Sequence, residues 1–372
     1  MQVLSHILYN RAVFTITSVC TMDLSQYLSE LAGQYRLFDV GRRIRKIDKT
    51  QFKQFEDLEI PYPFPYLQHA WLALYITQPN DIGNETLWFL KWPLDEQGKL
   101  IQYVRDDLVM RLIRLSEQPL NVQSDSEIED PLKDNSFSFN PDDIRRANLH
   151  AIINHTQHRK PSAHYDTVVR YLQAGTLNAN ALSNWKNLGM QGIADVAAKN
   201  NDHEASLKSC LSKMPSEVYL AFSQCLEHSD VTHPVAEAVL KRLKLDLTKA
   251  NNTSAVEAGL RIMGACFSDQ LRIDAWQLWL DSDYKNDVAC VLAFATRNYD
   301  DLAFMPQVIT PFLVTLAQFN QEGSDSFSVF IKIVSDLLFL PGIRNLLLNA
   351  LRNPERPEIL GQAMQALLDS KK

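Results

Sequence analysis

Apolar residues recur at helical spacing through the C-terminal part of the 372-residue chain. The i, i+3, i+4, i+7 pattern, which places apolar side chains on one helix face, is found at residues 218–225, 327–334, 343–351 and 360–368. Proline, glycine or Ser-Asp positions separate these stretches and suit helix starts. The pattern predicts an all-α domain over residues 142–372, built from successive helices joined by short turns.

The arrangement of these predicted helices is similar to that of helix-pair repeats of the HEAT or armadillo kind, in which stacked pairs bury one continuous core. No fixed repeat length emerges from the sequence, and the signature residues of tetratricopeptide or ankyrin repeats are not found. A compact, irregular helical bundle is the alternative architecture. Both alternatives are all-α, so the class of this domain does not depend on the choice.

A different pattern, with short β-type runs between helices, covers residues 23–116. It predicts an opening helix, a hairpin, a second helix, two strands at 69–77 and 85–92, and a closing helix at 100–115. Both strand runs are apolar at consecutive positions, so we expect both faces of each strand to be covered. Gly41-Arg42 in the hairpin suits a two-residue type II′ turn. These elements predict a small α+β domain.

The negative charge of the chain is concentrated between the two predicted domains. The formal net charge is −7, yet residues 117–143 alone hold one basic and eight acidic side chains. This stretch is rich in Ser, Asn, Asp and Pro and has no apolar periodicity, which is typical of segments that bury too little apolar surface to fold. We therefore expect a flexible acidic linker over residues 117–141.

The first 22 residues fit neither domain. Their apolar segment, residues 12–20, is short and has no basic stretch before it, so it does not match a secretory signal. We expect a non-native start or a frayed tail, with a targeting or membrane-surface segment as the alternative. No stretch reaches the ~20 apolar residues that span a bilayer. Five scattered cysteines without a C-x-x-C pair predict reduced thiols and a cytoplasmic protein.

Three segments of the chain carry a resemblance to a known family. They are QYRLFDVGRRI (residues 34–44), PYPFPYLQHAWLALYI (61–76) and LWFLKWPLDEQGKL (87–100). On these segments the chain resembles an uncharacterised bacterial family that is catalogued as a domain of unknown function. The resemblance extends over about residues 23–372 and implies a bacterial, cytoplasmic protein. It implies no catalytic residue, cofactor or ligand.

Basic residues cluster in the hairpin, and aromatic residues alternate with prolines in the extended segment that follows. The residues concerned are Arg42, Arg43, Arg45, Lys46, Tyr62, Phe64 and Tyr66. Cationic and aromatic side chains together predict a surface for nucleic acid or for a protein partner. An ordinary solvated face is the alternative, because the predicted domain as a whole is neutral.

Two further groups of side chains share a three-residue helical spacing. His155 and His158 would lie on one helix face, as metal ligands do, but no third ligand falls at a helical offset, so we predict no metal site. Trp276 and Trp279 predict core packing or, if exposed, a hot spot for a partner. The motifs of common nucleotide-binding and hydrolytic sites are not found in the sequence.

The sequence therefore favours a binding protein over an enzyme. We expect a protein–protein interaction scaffold or adaptor that uses its helical-repeat surface, with an unidentified protein partner, no cofactor and no membrane. A nucleic-acid-associated protein that uses the basic hairpin is the first alternative. A metal-dependent enzyme that uses the histidines is the second.

Overall fold

The computed structural model describes residues 23–30, 34–77, 85–117, 135–297, 306–319 and 327–370. The chain divides into two compact units, Met1–Pro141 and Asp142–Lys372. We call them the α+β unit and the helical unit, and each is described by itself. The expectations for residues 1–22 and for most of the linker concern residues outside the described ranges.

The α+β unit contains the predicted elements in the predicted order. They are α1 (Leu24–Glu30), β1 (Gln34–Asp39), β2 (Arg45–Ile47), α2 (Lys49–Glu56), β3 (His69–Thr77), β4 (Thr86–Pro93) and α3 (Gln102–Glu117). The four strands form one antiparallel sheet in the order β2-β1-β3-β4. Tyr27 of α1, Phe52 of α2 and Leu108 of α3 share one apolar core with the buried face of this sheet.

The two long strands of the sheet differ in burial. β3 is buried at every position from Leu72 to Ile76, as expected for a strand with both faces covered. β4 alternates instead, with Trp88, Leu90 and Trp92 buried and the residues between them partly exposed. The expectation of two covered faces is wrong for β4, because its side chains alternate between the core and the surface.

The predicted two-residue turn at Gly41-Arg42 is also wrong. The last paired residues are Asp39 and Arg45, so residues 40–44 form a longer loop. A type II′ turn needs a positive φ at its first central residue, and Gly41 does not have one. The backbone N–H of Val40 still donates to the carbonyl of Trp71 at 2.8 Å. The chain therefore stays beside β3 for one residue beyond β1. A loop longer than two residues is then needed before β2 can pair with β1.

The last part of the predicted linker is ordered against the sheet. The carbonyl oxygen of Phe137 accepts a hydrogen bond from the N–H of Lys91 at 2.7 Å, and the N–H of Phe139 donates to the carbonyl of Phe89 at 3.1 Å. Residues 137–139 therefore pair with the outer edge of β4, within and just after a turn at residues 135–138. The expectation of a flexible linker is corrected for these residues, because alternating phenylalanines give them the apolar surface that the acidic stretch lacks.

The helical unit consists of α-helices and short 3₁₀ turns over its described residues. The α-helices are α4 (Asp143–Thr156), α5 (Tyr165–Leu177), α6 (Met190–Ala198), α7 (Glu204–Leu211), α8 (Ser216–Leu226), α9 (His233–Asp246), α10 (Thr253–Met263), α11 (Asp269–Leu280), α12 (Val288–Arg297), α13 (Pro306–Gln318), α14 (Ser328–Leu337), α15 (Arg344–Arg352) and α16 (Glu358–Asp369). An α+β start followed by helices, as the sequence predicted, is confirmed.

Most of these helices pack against the helix next but one along the chain. α4, α6, α8, α10 and α12 contact one another in that order, and we call them the even row. α5, α7, α9, α11 and α13 do the same and form the odd row. Pairs such as α5 with α6 and α9 with α10 connect the rows. One apolar core is shared by both rows and by the last helices.

Candidate functional site

The hairpin does not present all of its cations to solvent. The side chain of Arg42 is completely buried. Its Nε donates to the carbonyl of Pro65 at 3.0 Å, and its guanidinium carbon lies 5.1 Å from the ring centroid of Tyr66. The prediction that Arg42 contacts a partner is wrong, because the loop folds inward and the guanidinium group finds carbonyl and aromatic partners inside the unit.

Tyr62 is buried as well, beside a carboxyl group of the core. Its hydroxyl donates to Asp39 Oδ1 at 2.8 Å, and Asp39 Oδ2 is buried without a hydrogen-bonding partner. Burial raises the pKa of Asp39 to about 7, although the hydrogen bond from Tyr62 and the charge of Arg45 act in the opposite direction. Tyr62 therefore supports a buried carboxyl group and does not belong to an exposed aromatic surface.

The remaining members of the cluster are accessible to different degrees. Phe64 and Tyr66 are partly buried, and the guanidinium carbon of Arg45 lies 5.3 Å from the ring centroid of Phe64. Arg43 is partly exposed and Lys46 is exposed. Binding of nucleic acid or protein by these residues stays a prediction, now without Arg42 and Tyr62 as contact residues.

His155 lies in the last turn of α4, but His158 lies beyond the end of this helix, so the prediction that both share one helix face is wrong. Both are exposed, and with Arg159, Lys199 and Asp202 they line a cavity of about 260 Å³. Within the described part of the chain, no group of three or more His, Cys, Asp or Glu residues is placed to hold a metal ion. Arg159 and Lys199 also repel a cation electrostatically, so the chemistry of this cavity does not suit a metal.

Trp276 and Trp279 belong to the core of the helical unit. Neither side chain is exposed. Phe294 packs against both indoles, with ring centroids 5.4 Å from Trp276 and 4.9 Å from Trp279. The indole N–H of Trp279 donates to the carbonyl of Tyr284 at 3.1 Å, which satisfies its polar atom inside the protein. The hot-spot interpretation of this pair is therefore wrong, and core packing is confirmed.

A charge network that the sequence did not reveal joins three helices of the even row. Glu227 follows α8, Arg261 lies in the last turn of α10, and Arg297 ends α12. Arg261 Nη1 donates to Glu227 Oε2 at 2.7 Å, and Arg297 Nε lies 2.8 Å from the same oxygen. Because the C-terminal ends of α8, α10 and α12 meet at one carboxylate, these helices run in the same direction.

The charges of this network control the ionisation of Glu227. Burial acts to raise its pKa, but the guanidinium groups of Arg297 and Arg261 outweigh burial and hold the pKa at about 2. Arg261 also pairs with Glu257 at 2.8 Å. Glu227 and Arg261 are 34 positions apart, and no local motif connects them, so only the packing of the helices brings them together.

Exposed side chains in the N-terminal halves of the same three packed helices are candidates for an interaction surface. Val288 and Leu292 are one turn apart on α12 and are 50% and 46% exposed. Glu217 on α8 and Ser254 on α10 are exposed on the neighbouring helices. We call these four residues the even-row face. An apolar pair with polar neighbours is the composition of a small interface core and its rim.

The fold and these sites define a two-unit protein in which an antiparallel α+β unit precedes a helical unit. Within the described residues, no helix is both long and apolar enough to cross a membrane. The chain belongs to the family described as "Protein of unknown function (DUF3549)", whose model matches residues 20–368. The resemblance in the N-terminal segments is thereby confirmed. No curated protein and no solved structure matches the chain.

Proposed function

We propose that this protein is an interaction scaffold that binds a polypeptide partner on the even-row face of its helical unit. The packing of alternate helices carries the proposal. From α4 to α13, successive helices contact the helix next but one in two rows over a shared core. Stacked helix pairs of the HEAT or armadillo kind are connected in this way, and we include such a solenoid in the proposal.

The surface chemistry of the even row supports a protein partner. Val288 and Leu292 hold apolar surface in water, which a partner would cover favourably. The carboxylate of Glu227 ties the ends of α8, α10 and α12 together. A surface carried by three connected helices is pre-organised, and this lowers the entropic cost of binding.

A cytoplasmic location is part of the same proposal. Cys210, Cys225, Cys266 and Cys290 are buried free thiols. Burial raises the pKa of Cys225 and of Cys290, which keeps both in the unreactive thiol form. Buried, reduced cysteines suit a compartment in which thiols are kept reduced.

A pull-down with matched surface variants tests the proposal. The full-length tagged protein is purified after nuclease treatment, and co-purifying proteins are quantified by mass spectrometry. We expect a stoichiometric partner whose recovery falls roughly tenfold or more for the double variant Val288→Glu/Leu292→Glu, because a charge at the centre of an interface is strongly unfavourable.

Leu245→Glu is the matched control. Leu245 lies on α9 of the odd row and is 58% exposed, so it receives the same substitution at similar exposure on the other row. Its partner recovery should equal that of the unchanged protein. Equal recovery with all three proteins would rule out the even-row face, and a partner lost on nuclease treatment would point to nucleic acid instead.

A further inference from the structure

The outer edge of β4 is covered by a piece of the same chain. We call residues 135–140 the covering segment. It begins with a turn at residues 135–138, and residues 137–139 pair with β4 through the backbone bonds between Phe137 and Lys91 and between Phe139 and Phe89. Ser138 forms an antiparallel bridge with Leu90. Unpaired strand edges are the places where extended peptides add to a sheet. Here the edge already holds such a peptide.

The two phenylalanines of the covering segment add side-chain contacts to this backbone pairing. The ring of Phe139 lies edge-on to Trp71 at 4.8 Å and to Phe89 at 5.7 Å, measured between centroids. The ring of Phe137 lies edge-on to Tyr103 at 5.8 Å. Edge-on aromatic pairs at these distances are favourable beyond their apolar area. The edge therefore recognises aromatic residues at alternate positions.

The covering segment is less deeply buried than the strand pairs inside the sheet. Phe137, Ser138 and Phe139 are all partly exposed, whereas the paired residues Leu72 and Leu90 are completely buried. A peripheral strand of this kind opens at lower free energy than the rest of its sheet. Opening would free both the β4 backbone and the aromatic side chains.

We propose that the edge of β4 is a strand-addition site for an extended, acidic segment of another protein with aromatic residues at alternate positions, and that the covering segment occupies this site until such a partner displaces it. The chemistry of the occupant is read from the covering segment, whose flanks contain Asp134, Asp142 and Asp143. The ammonium group of Lys91 lies 4.6 Å from the ring centroid of Trp71 at the same edge and favours acidic flanks. This site is independent of the even-row face.

A peptide-binding measurement on the full chain tests the proposal. The probe is a fluorescein-labelled peptide with the sequence of residues 133–143, and binding is followed by fluorescence anisotropy. The double variant Phe137→Ala/Phe139→Ala should bind it at least roughly tenfold more tightly than the unchanged protein, because a site occupied in cis lowers the apparent affinity by its occupancy. A peptide with alanine at both phenylalanine positions should not bind.

Ser136→Ala is the matched control variant. Ser136 is an exposed residue of the covering segment, so its substitution should leave peptide binding as weak as in the unchanged protein. Equal binding of the probe by the double variant and the unchanged protein would overturn the proposal. So would a dimer of the unchanged protein that the double variant loses, because the occupant would then be the covering segment of a second copy.

Hydrogen exchange of the unchanged protein covers the case in which the double variant fails to fold. The N–H groups of Phe139 and Lys91 should exchange by local opening, at least roughly tenfold faster than the amides that pair β1 with β3. Exchange of both sets at one common rate would mean that the covering segment leaves only when the whole unit unfolds. That result would overturn the proposal.

Discussion

Two buried carboxyl groups of the α+β unit, Asp39 and Glu56, and two of the helical unit, Glu227 and Asp246, are stabilised in opposite ways. In the α+β unit, Asp39 accepts a hydrogen bond from the Tyr62 hydroxyl, and Glu56 accepts bonds from the backbone N–H groups of Leu24 and Ser25 at the start of α1. These donors are neutral. Burial therefore dominates and raises the pKa of both carboxyl groups to about 7, against the opposing effect of the hydrogen bonds.

In the helical unit, the buried carboxylates of Glu227 and Asp246 have cationic partners instead. Glu227 contacts Arg261 and Arg297, while Asp246 contacts Arg242 and Lys249, both at 2.9 Å. Burial again acts to raise each pKa, but the charged donors outweigh it and the pKa of both carboxylates is lowered. The effect of a buried carboxylate on stability at neutral pH therefore depends on its donors. Neutral donors leave it destabilising, whereas cationic donors make it stabilising.

The largest loss of stability expected from one substitution follows removal of the carboxylate that joins three helices. Glu227→Gln removes the carboxylate charge that the mostly buried guanidinium groups of Arg261 and Arg297 share, and it leaves Arg261 with Glu257 alone. We expect the free energy of unfolding of the helical unit to fall by roughly 3–5 kcal/mol. Urea denaturation, read unit by unit with pulsed hydrogen exchange and mass spectrometry, measures this loss.

Glu257→Gln is the control for this substitution. Glu257 pairs with Arg261 from the same helix at 2.8 Å, but Arg261 keeps Glu227 when Glu257 is neutralised. A loss of about 1 kcal/mol is expected. Equal losses for the two variants would contradict the view that Glu227 is the centre of the network.

The second effect is an opposite response of the two units to pH. Asp39 and Glu56 have a folded pKa of about 7 against ordinary values of 3.8 and 4.5, so the stability they contribute is present below pH 4 and is lost as the pH rises towards 7. Glu227 has a folded pKa of about 2, so its contribution is present above pH 4.5 and is lost as the pH falls towards 2.

Unit-resolved urea denaturation between pH 3 and pH 8 checks these signs. The α+β unit should lose roughly 7 kcal/mol from pH 4 to pH 8, and Asp39→Asn should recover roughly 4 kcal/mol of this at pH 8 and less than half as much at pH 5. Asp95→Asn changes an exposed carboxylate of the same unit and should not reproduce this recovery, because it removes no buried charge. An α+β unit that is more stable at pH 8 than at pH 5 would refute the assignment.

Sequence periodicity predicted the elements better than the sites, for a physical reason. Helix faces and strand runs depend on neighbours within a few residues, so the order of elements from α1 to α3 followed from the pattern. The inward turn of Arg42 and the contact of Glu227 with Arg261 depend on residues far away in the chain. A buried guanidinium group and an exposed one have the same local sequence signature.

The pairing of residues 137–139 with β4 escaped prediction for a related reason. The composition of the acidic stretch indicated a flexible linker, and two phenylalanines are too few to change an average over 25 positions, the length of residues 117–141. Their alternation was the available signal, because side chains two residues apart lie on one side of an extended chain. The alternation predicts pairing with β4 only when the aromatic partners Trp71 and Tyr103 are known, and both lie on distant elements.

The smallest expected effect tests whether the charge of the acceptor, Asp39, changes the strength of a buried hydrogen bond. Tyr62→Phe removes the hydroxyl group that donates to Asp39 Oδ1. The loss should be about 1 kcal/mol at pH 5, where Asp39 is neutral, and about 2 kcal/mol at pH 8, where it is charged. Unit-resolved urea denaturation at these two pH values measures both losses.

Tyr27→Phe is the control that shows whether the pH dependence comes from the charge of Asp39. Tyr27 is buried in the same unit, and its hydroxyl donates to the carbonyl of Leu112 at 3.1 Å, an acceptor that does not titrate. Its loss of about 1 kcal/mol should therefore be the same at both pH values. If the loss at Tyr62 were equally independent of pH, Asp39 would not ionise between pH 5 and pH 8. The contrast between neutral and cationic partners of buried carboxyl groups would then rest on Glu56 alone.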